Sequence, residues 1–222
     1  LGPAQGYPQF SEDGQWIYYH QGDAIFRVRL EGGTPQNVVE NGASPSGVAV
    51  SGQRLIYHNS NSSSLEVLDI SSGQVSPIGG IVQEKGVHNH TWPHILEDGK
   101  TILATRGVRG SYSNSSIDVI DLETGEVTEI IPVGFKAIYA RSGHIIFARG
   151  DSIWAQPFDI NTLRLQGDAV PIIFDTEIYE PFGNVGIALS DSGRLIFIDG
   201  QIEGGASGTE VPVFVDRTGE ER

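Results

Sequence analysis

The chain has 222 residues and a formal net charge of −14 at pH 7, from 14 basic against 28 acidic side chains, so no basic patch is available to neutralise a phosphate backbone and nucleic acid is excluded as a partner. It contains no cysteine, which excludes a disulfide framework and a thiol nucleophile. No apolar run approaches the roughly 18 residues of a membrane-crossing helix, so no membrane contact is expected of this segment.

In chain order, the first recognisable phrase is Ser11-Glu12-Asp13-Gly14, a polar turn, followed by the apolar run Trp16-Ile17-Tyr18-Tyr19. The phrase returns four times: at Ser51-Gly52 before Leu55-Ile56-Tyr57, at Asp98-Gly99 before Thr101-Ile102-Leu103, at Ser142-Gly143 before Ile145-Ile146-Phe147, and at Ser192-Gly193 before Leu195-Ile196-Phe197. The glycines lie roughly 40 to 50 residues apart, the period of propeller blades. Glycine reaches positive φ without a Cβ clash, and Asp or Ser side chains bond the adjacent backbone, so each phrase predicts a tight turn between antiparallel strands.

A second strand signal follows each turn by about half a period. These are Phe26–Leu30, Leu65–Ile70, Ile117–Leu122, Ile153–Phe158 and Val211–Val215, and they alternate apolar and polar residues at period two. No stretch carries a sustained 3.6-residue apolar stripe, so no helix longer than a turn is predicted. The reading is one all-β domain over residues 1–222, a β-propeller of four-stranded antiparallel blades with about five blades present, at roughly 7–42, 43–86, 87–134, 135–183 and 184–222. The absence of methionine, and a last repeat that stops after its third strand, lead to the expectation of an incomplete part of a larger propeller forming an open arc.

The repeat resembles that of TolB-like, or WD40-like, bacterial propellers, in which a Pro and an aromatic precede Ser-Pro-Asp-Gly. Pro8-Gln9-Phe10-Ser11-Glu12-Asp13-Gly14 and Trp92-Pro93 ahead of Glu97-Asp98-Gly99 carry the phrase, with Glu12 and Glu97 in place of its proline. His90-Thr91-Trp92-Pro93, Ser142 to Gly150, Trp154 to Asp159 and Phe214 to Gly219 are most similar to propellers found C-terminal to bacterial eukaryotic-type Ser/Thr kinase domains. That resemblance implies an extracytoplasmic location, periplasmic or extracellular, and a sensor or interaction role for an unknown protein or small ligand. No kinase motif is present.

The sharpest chemical candidates are histidines. His88 and His90 would share one face of a strand, a spacing used by metal sites, and oligogalacturonate lyases, which are also TolB-like, have a similar His-x-His pair; these two are therefore the metal candidates of a lyase or hydrolase reading. Against it, Pro93 is expected to disrupt the strand. Arg106, Arg109 and Arg149 flank strand ends that would line a central channel, and with Trp92 they are the ligand-binding candidates. The plainer reading pairs these arginines with surface acids and places Trp16, Trp92, Trp154, Phe10, Phe147, Phe182 and Phe197 in the core. Carboxylates such as Asp13, Asp98, Asp118 and Asp121 read as turn residues rather than an acid–base pair. No cofactor and no catalytic residue is assigned, and the leading expectation is a non-catalytic binding domain. The alternatives are the metal-dependent propeller and the gating propeller of a prolyl-oligopeptidase-like hydrolase. The polar stretches 59–64, 107–116 and 200–209 are expected as loops on one rim.

Overall fold

The computed structural model describes residues 5–78, 90–108, 111–176, 178–179, 183–190, 192–199 and 211–215. Among them there is no helix, and therefore none long and apolar enough to cross a membrane. The first sheet is β1 (Gln5–Phe10), β2 (Trp16–Gln21), β3 (Ala24–Arg29) and β4 (Gln36–Val39), in sequence order and antiparallel throughout. The second repeats this plan with β5 (Ala43–Ser51), β6 (Arg54–Asn59), β7 (Ser64–Asp69) and β8 (Val75–Pro77), and the third with β9 (His90–Ile95), β10 (Thr101–Val108), β11 (Ser111–Asp121) and β12 (Val127–Ile131). In the fourth, β13 (Phe135–Ala140), β14 (His144–Arg149) and β15 (Ser152–Asp159) are followed by β16 (Arg164–Leu165) and β17 (Val170–Ile173), both paired with β15. A short pair, β18 (Ile178–Tyr179) with β19 (Asn184–Val185), precedes a three-stranded sheet of β20 (Ile187–Leu189), β21 (Leu195–Asp199) and β22 (Val211–Val215).

The turn phrase explains this order. Gly14, Gly52, Gly99, Gly143 and Gly193 all have positive φ, between 53° and 80°, which lets the first strand of each sheet fold directly back as the second. The carboxylates next to the turns bond the backbone: Asp98 Oδ1 accepts from the Lys100 and Thr101 amides, and Asp69 Oδ1 from those of Ser71 and Ser72. The Ser71 hydroxyl above all, then the Ser72 amide and hydroxyl, donate to the same carboxylate, favour its ionised form and hold Asp69 down at about 2. Asp13, Asp121 and Asp159 accept from turn amides in the same way. The turn reading of Asp13, Asp98 and Asp121 is thereby accounted for. Asp118 departs from it, because it lies on β11 and is fully buried.

The sheets stack face to face in series. One apolar cluster lies between the first and second (Tyr18, Ile25, Leu55, Tyr57) and another between the second and third (Ile56, Leu65, Ile102, Ile120). A third joins the third and fourth (Leu103, Ile117, Ile145, Phe147), and a fourth carries the stack on to Val185, Ile187 and Phe197. The second strands supply much of this core, with Leu55, Ile56, Ile102, Leu103, Ala104, Ile145 and Phe147 at 0% exposure. First strands contact first strands, β1 on β5, β5 on β9 and β9 on β13, so these form the inner edge of the stack. Among the described residues, no backbone pairing joins β1 to β22.

Three expectations need correction here. Phe10 is 52% exposed rather than core, because it ends an inner strand at a turn. The stretch 107–116 is mostly a long hairpin, with β10 running to Val108 and β11 starting at Ser111. Pro93 does not disrupt β9: the strand takes it at a β-bulge, where the register slips between the Leu103–His94 and Thr105–Thr91 pairs. The stretch 59–64 does form a turn, pinned to Glu66 by Asn59 and Ser62. Residues 200–209 and Phe182 lie outside the described residues.

Candidate functional site

All four of the complete inner strands carry a bulge, seen as a register shift in β1, β5, β9 and β13. In three of them the bulge holds a residue in the left-handed region: Gly47 at φ 90°, Trp92 at φ 52° and Lys136 at φ 51°. For glycine this costs nothing; for a tryptophan and a lysine it costs on the order of 1–2 kcal/mol each and persists only when the surroundings enforce it. Here they do. A Cβ on Gly47 would stand 3.0 Å from Trp92 Cε3 and 3.2 Å from Trp92 Cα, so the indole occupies the space that a side chain at 47 would need. The Lys136 amide donates to Thr105 Oγ1 at 2.8 Å, and its Nζ donates to the Val185 carbonyl at 2.5 Å.

Lys136 Nζ also lies 4.6 Å from the centroid of the Trp92 ring. Inner-strand residues of the second, third and fourth sheets are thus linked in one line of contacts, Gly47 to Trp92 to Lys136, which ends on Val185 of the short strand β19. Trp92 is 5% and Lys136 6% exposed. Desolvation at such a position penalises the ammonium form and holds the lysine well below its ordinary value. A tryptophan face, a buried amine and an ordered carbonyl converge where backbone strain is also concentrated, the combination expected of a binding centre.

A second buried polar group lies beside the first on the third sheet. His90, at the start of β9, pairs across the ladder with Arg106, and Arg106 with Ser116. His90 Nε2 is hydrogen-bonded to Asp118 Oδ2 at 2.8 Å, and Arg106 Nε lies 3.3 Å from the same oxygen. Arg106 donates further to Ser116 Oγ and to Glu129. Asp118 Oδ1 has no hydrogen-bond partner among the described residues.

The ligand and metal candidates therefore separate. Trp92 is in the inner line of contacts. Arg106 is committed to Asp118 and Glu129, the fate the plainer reading assigned to it. Arg149 stacks on Phe147 and Trp154, with its guanidinium carbon 5.0 and 4.8 Å from the ring centroids, and donates to the Val133 carbonyl at 3.0 Å; among the described residues it has no carboxylate partner. His90 is held by Asp118, and His88 and Arg109 lie outside the described residues. No cluster of three or more metal-ligating side chains occurs among the described residues. Lys136 was missed from the sequence, and Asp118 was read there as a turn residue. Lys136 stands as far before Gly143 as Trp92 does before Gly99, so the repeat register itself was the signal that could have found it.

The architecture has close counterparts among solved structures. TolB from Acinetobacter baumannii superposes with a TM-score of 0.67 at 17% identity, covering 99% of this chain and 53% of that one. A gluconolactonase from Xanthomonas campestris gives 0.70 at 14% identity, covering 98% and 74%. A puromycin-hydrolysing peptidase from Mycobacterium tuberculosis gives 0.66 at 10% identity, covering 97% and 46%. The chain folds as a β-propeller. It spans about half the length of the TolB and peptidase chains. No protein-family model matches the sequence, and no curated protein matches it. At these identities the likeness is one of fold, and its hosts include a TolB, a lactonase and a peptidase, so function has to be argued from the site.

Proposed function

We propose that this propeller is a non-catalytic ligand-binding domain of the sensor or interaction type, and that its ligand is received at the inner edge by Trp92 and Lys136. The observation that carries this reading is the strained, mutually supporting pair itself: two bulky residues in left-handed conformations on adjacent inner strands, in contact, with an amine beside an indole face. A flat apolar or amphipathic group stacks on such a ring, and the neighbouring amine supplies directional polar contact. Arg149, oriented by two aromatic rings and a carbonyl, adds an anion-recognising group on the neighbouring sheet. The kinase-linked propellers are the functional analogy, with a location outside the cytoplasm; fractionation of the producing cell tests the location, and the reading frame around the chain tests the kinase link.

The test is binding. Sugars, sugar lactones, amino acids and dipeptides at millimolar concentration are screened by thermal shift and calorimetry. A compound present at about 100 times its Kd adds about 2.7 kcal/mol, which for a domain of this size raises Tm by roughly 5–10 °C. The expected result is such a shift in the native protein that is lost in Trp92→Ala. Turnover of any of these compounds that a single carboxylate or histidine substitution abolishes overturns the non-catalytic reading.

One observation favours a second reading. A histidine whose one ring nitrogen is held by a buried carboxylate is oriented to present the other nitrogen, the arrangement found behind metal-ligating imidazoles, so His90 together with His88 is the alternative site of a metal-dependent propeller. Metal analysis after incubation with manganese or zinc, compared between the native protein and His90→Ala, separates the two readings.

A further inference from the structure

We infer that Arg149 is a carboxylate anchor, and that the ligand it selects is a small organic acid with an apolar or aromatic body. This rests on the inner-edge binding site proposed above and names the class of ligand it takes.

Arg149 is fixed on three sides. Its Nε donates to the Val133 carbonyl at 3.0 Å, and its guanidinium carbon lies over the rings of Phe147 and Trp154 at 5.0 and 4.8 Å. Trp154 is held in return, because its indole Nε1 donates to the Arg149 carbonyl at 3.2 Å. Phe147 is fully buried and pairs directly with Trp154 across β14 and β15. A guanidinium so placed has already lost the rotamer freedom that an arginine ordinarily gives up on binding. The Val133 carbonyl engages Nε alone. The two Nη nitrogens, which match the two oxygens of a carboxylate, have no hydrogen-bond partner among the described residues. The chain has 28 acidic side chains against 14 basic ones, and Lys100, Arg106 and Arg141 each pair with a carboxylate, yet Arg149 has none.

The surroundings restrict what sits there. Arg149 follows Ala148, which pairs with Phe135, the chain neighbour of Lys136, so the guanidinium belongs to the same end of the fourth sheet as the proposed site. Val133 is 43% exposed and Trp154 is half-buried, which leaves apolar surface beside the guanidinium for the body of a ligand. A single guanidinium matches a single negative charge. The net charge of −14 repels anions in general, a dianion about twice as strongly as a monoanion. A monocarboxylate therefore fits better than a phosphate monoester.

Matched acids and amides test this: phenylacetate against phenylacetamide, and N-acetylphenylalanine against its amide, titrated by calorimetry at pH 7. The two members of a pair share one body, and the field of the whole protein works against the acid, so a tighter acid reports a local cation. In the native protein each acid is expected to bind at least tenfold more tightly than its amide, the size of a charge-assisted bidentate contact. The preference should vanish in Arg149→Gln while the Kd of the amide stays unchanged, which also shows that the variant is folded. In Arg149→Lys, which keeps the charge without the planar fork, it should fall to a few-fold. Arg27→Gln removes a charge from an arginine stacked on Trp16 instead, and should keep the full preference. Equal affinity for acid and amide in the native protein, or a preference that survives Arg149→Gln, overturns the inference. If that equal binding is still lost in Trp92→Ala, the binding proposal stands. Binding of neither member also overturns the inference, and the binding proposal then rests on the sugars and lactones of the screen. Acid binding that keeps its preference in Trp92→Ala supports the Arg149 anchor and overturns the Trp92 centre, so the two failures are distinguishable.

Discussion

His20 and His58 face the first and second inter-sheet cores with almost no exposure, 0% and 6%, and neither ring has a hydrogen-bond partner among the described residues. Burial pushes both down to about 4 from 6.5. The sign follows from linkage: the folded state holds the imidazoles neutral, while the unfolded chain binds protons at its ordinary value. Their contribution is therefore fully present above about pH 6.5 and is lost as pH falls towards 4. At about 1.4 kcal/mol per pH unit, the gap between 6.5 and about 4 amounts to roughly 3 kcal/mol per histidine. Two such losses approach the whole stability of an ordinary domain, on the order of 5–15 kcal/mol. Acid unfolding is therefore expected to set in between pH 6 and 4, before the turn carboxylates, which are held low, take up protons. The assay is chemical denaturation at stepped pH, together with proton NMR of the histidine rings. The stability slope between pH 6.5 and 4.5 should fall by about one proton in each of His20→Leu and His58→Leu. Ring titration near pH 6.5 for either histidine in the folded protein, or an unchanged slope in both variants, refutes the reasoning.

Other substitutions discriminate between parts of the structure. Gly47→Ala puts a methyl against the Trp92 backbone and ring at a positive φ, and should cost about 2–4 kcal/mol by denaturant unfolding; Gly14→Ala, where nothing stands within 4 Å, should cost about 1 kcal/mol, from the backbone alone. Asp118→Ala strips His90 and Arg106 of their shared buried acceptor and should destabilise by about 3–5 kcal/mol, with Asp118→Asn recovering part of the loss. Thr105→Val removes the acceptor of the Lys136 amide and should cost about 1–3 kcal/mol while perturbing the Trp92 emission, a spectral change that a remote core defect such as Ile25→Val should not produce.

The fold was legible because it is written in local chemistry. A turn needing positive φ at Gly99 or Gly143 requires glycine, and a strand buried on both faces, such as Ile102-Leu103-Ala104, reads as a continuous apolar run. Repetition of the two at a fixed period leaves few alternatives. The site was only partly legible because its determinants are not local. Trp92 could be noticed as an aromatic, but its left-handed backbone depends on the absence of a side chain at Gly47, in another sheet and far away in sequence. Lys136 looks like an ordinary lysine in Phe135-Lys136-Ala137 until the bulge in β13 turns it onto Trp92 and Val185. Asp118 alternates with apolar neighbours as a solvent-facing residue would, and only the stacking of the second sheet over its face buries it. Arg106 was chosen for its place at a strand end, yet the structure gives it to Asp118 and Glu129.

The central claim is that ligand binding is centred on Trp92, and the chain's three tryptophans allow it to be read directly. With Trp16 and Trp154 replaced by phenylalanine, all indole emission comes from Trp92. Titration of the sugars, lactones, amino acids and dipeptides of the binding screen should then give, for at least one class, a saturable emission change whose midpoint matches the calorimetric Kd and is weakened in Lys136→Met. Compounds that bind by calorimetry without altering Trp92 emission, or a screen in which none binds, contradict the account.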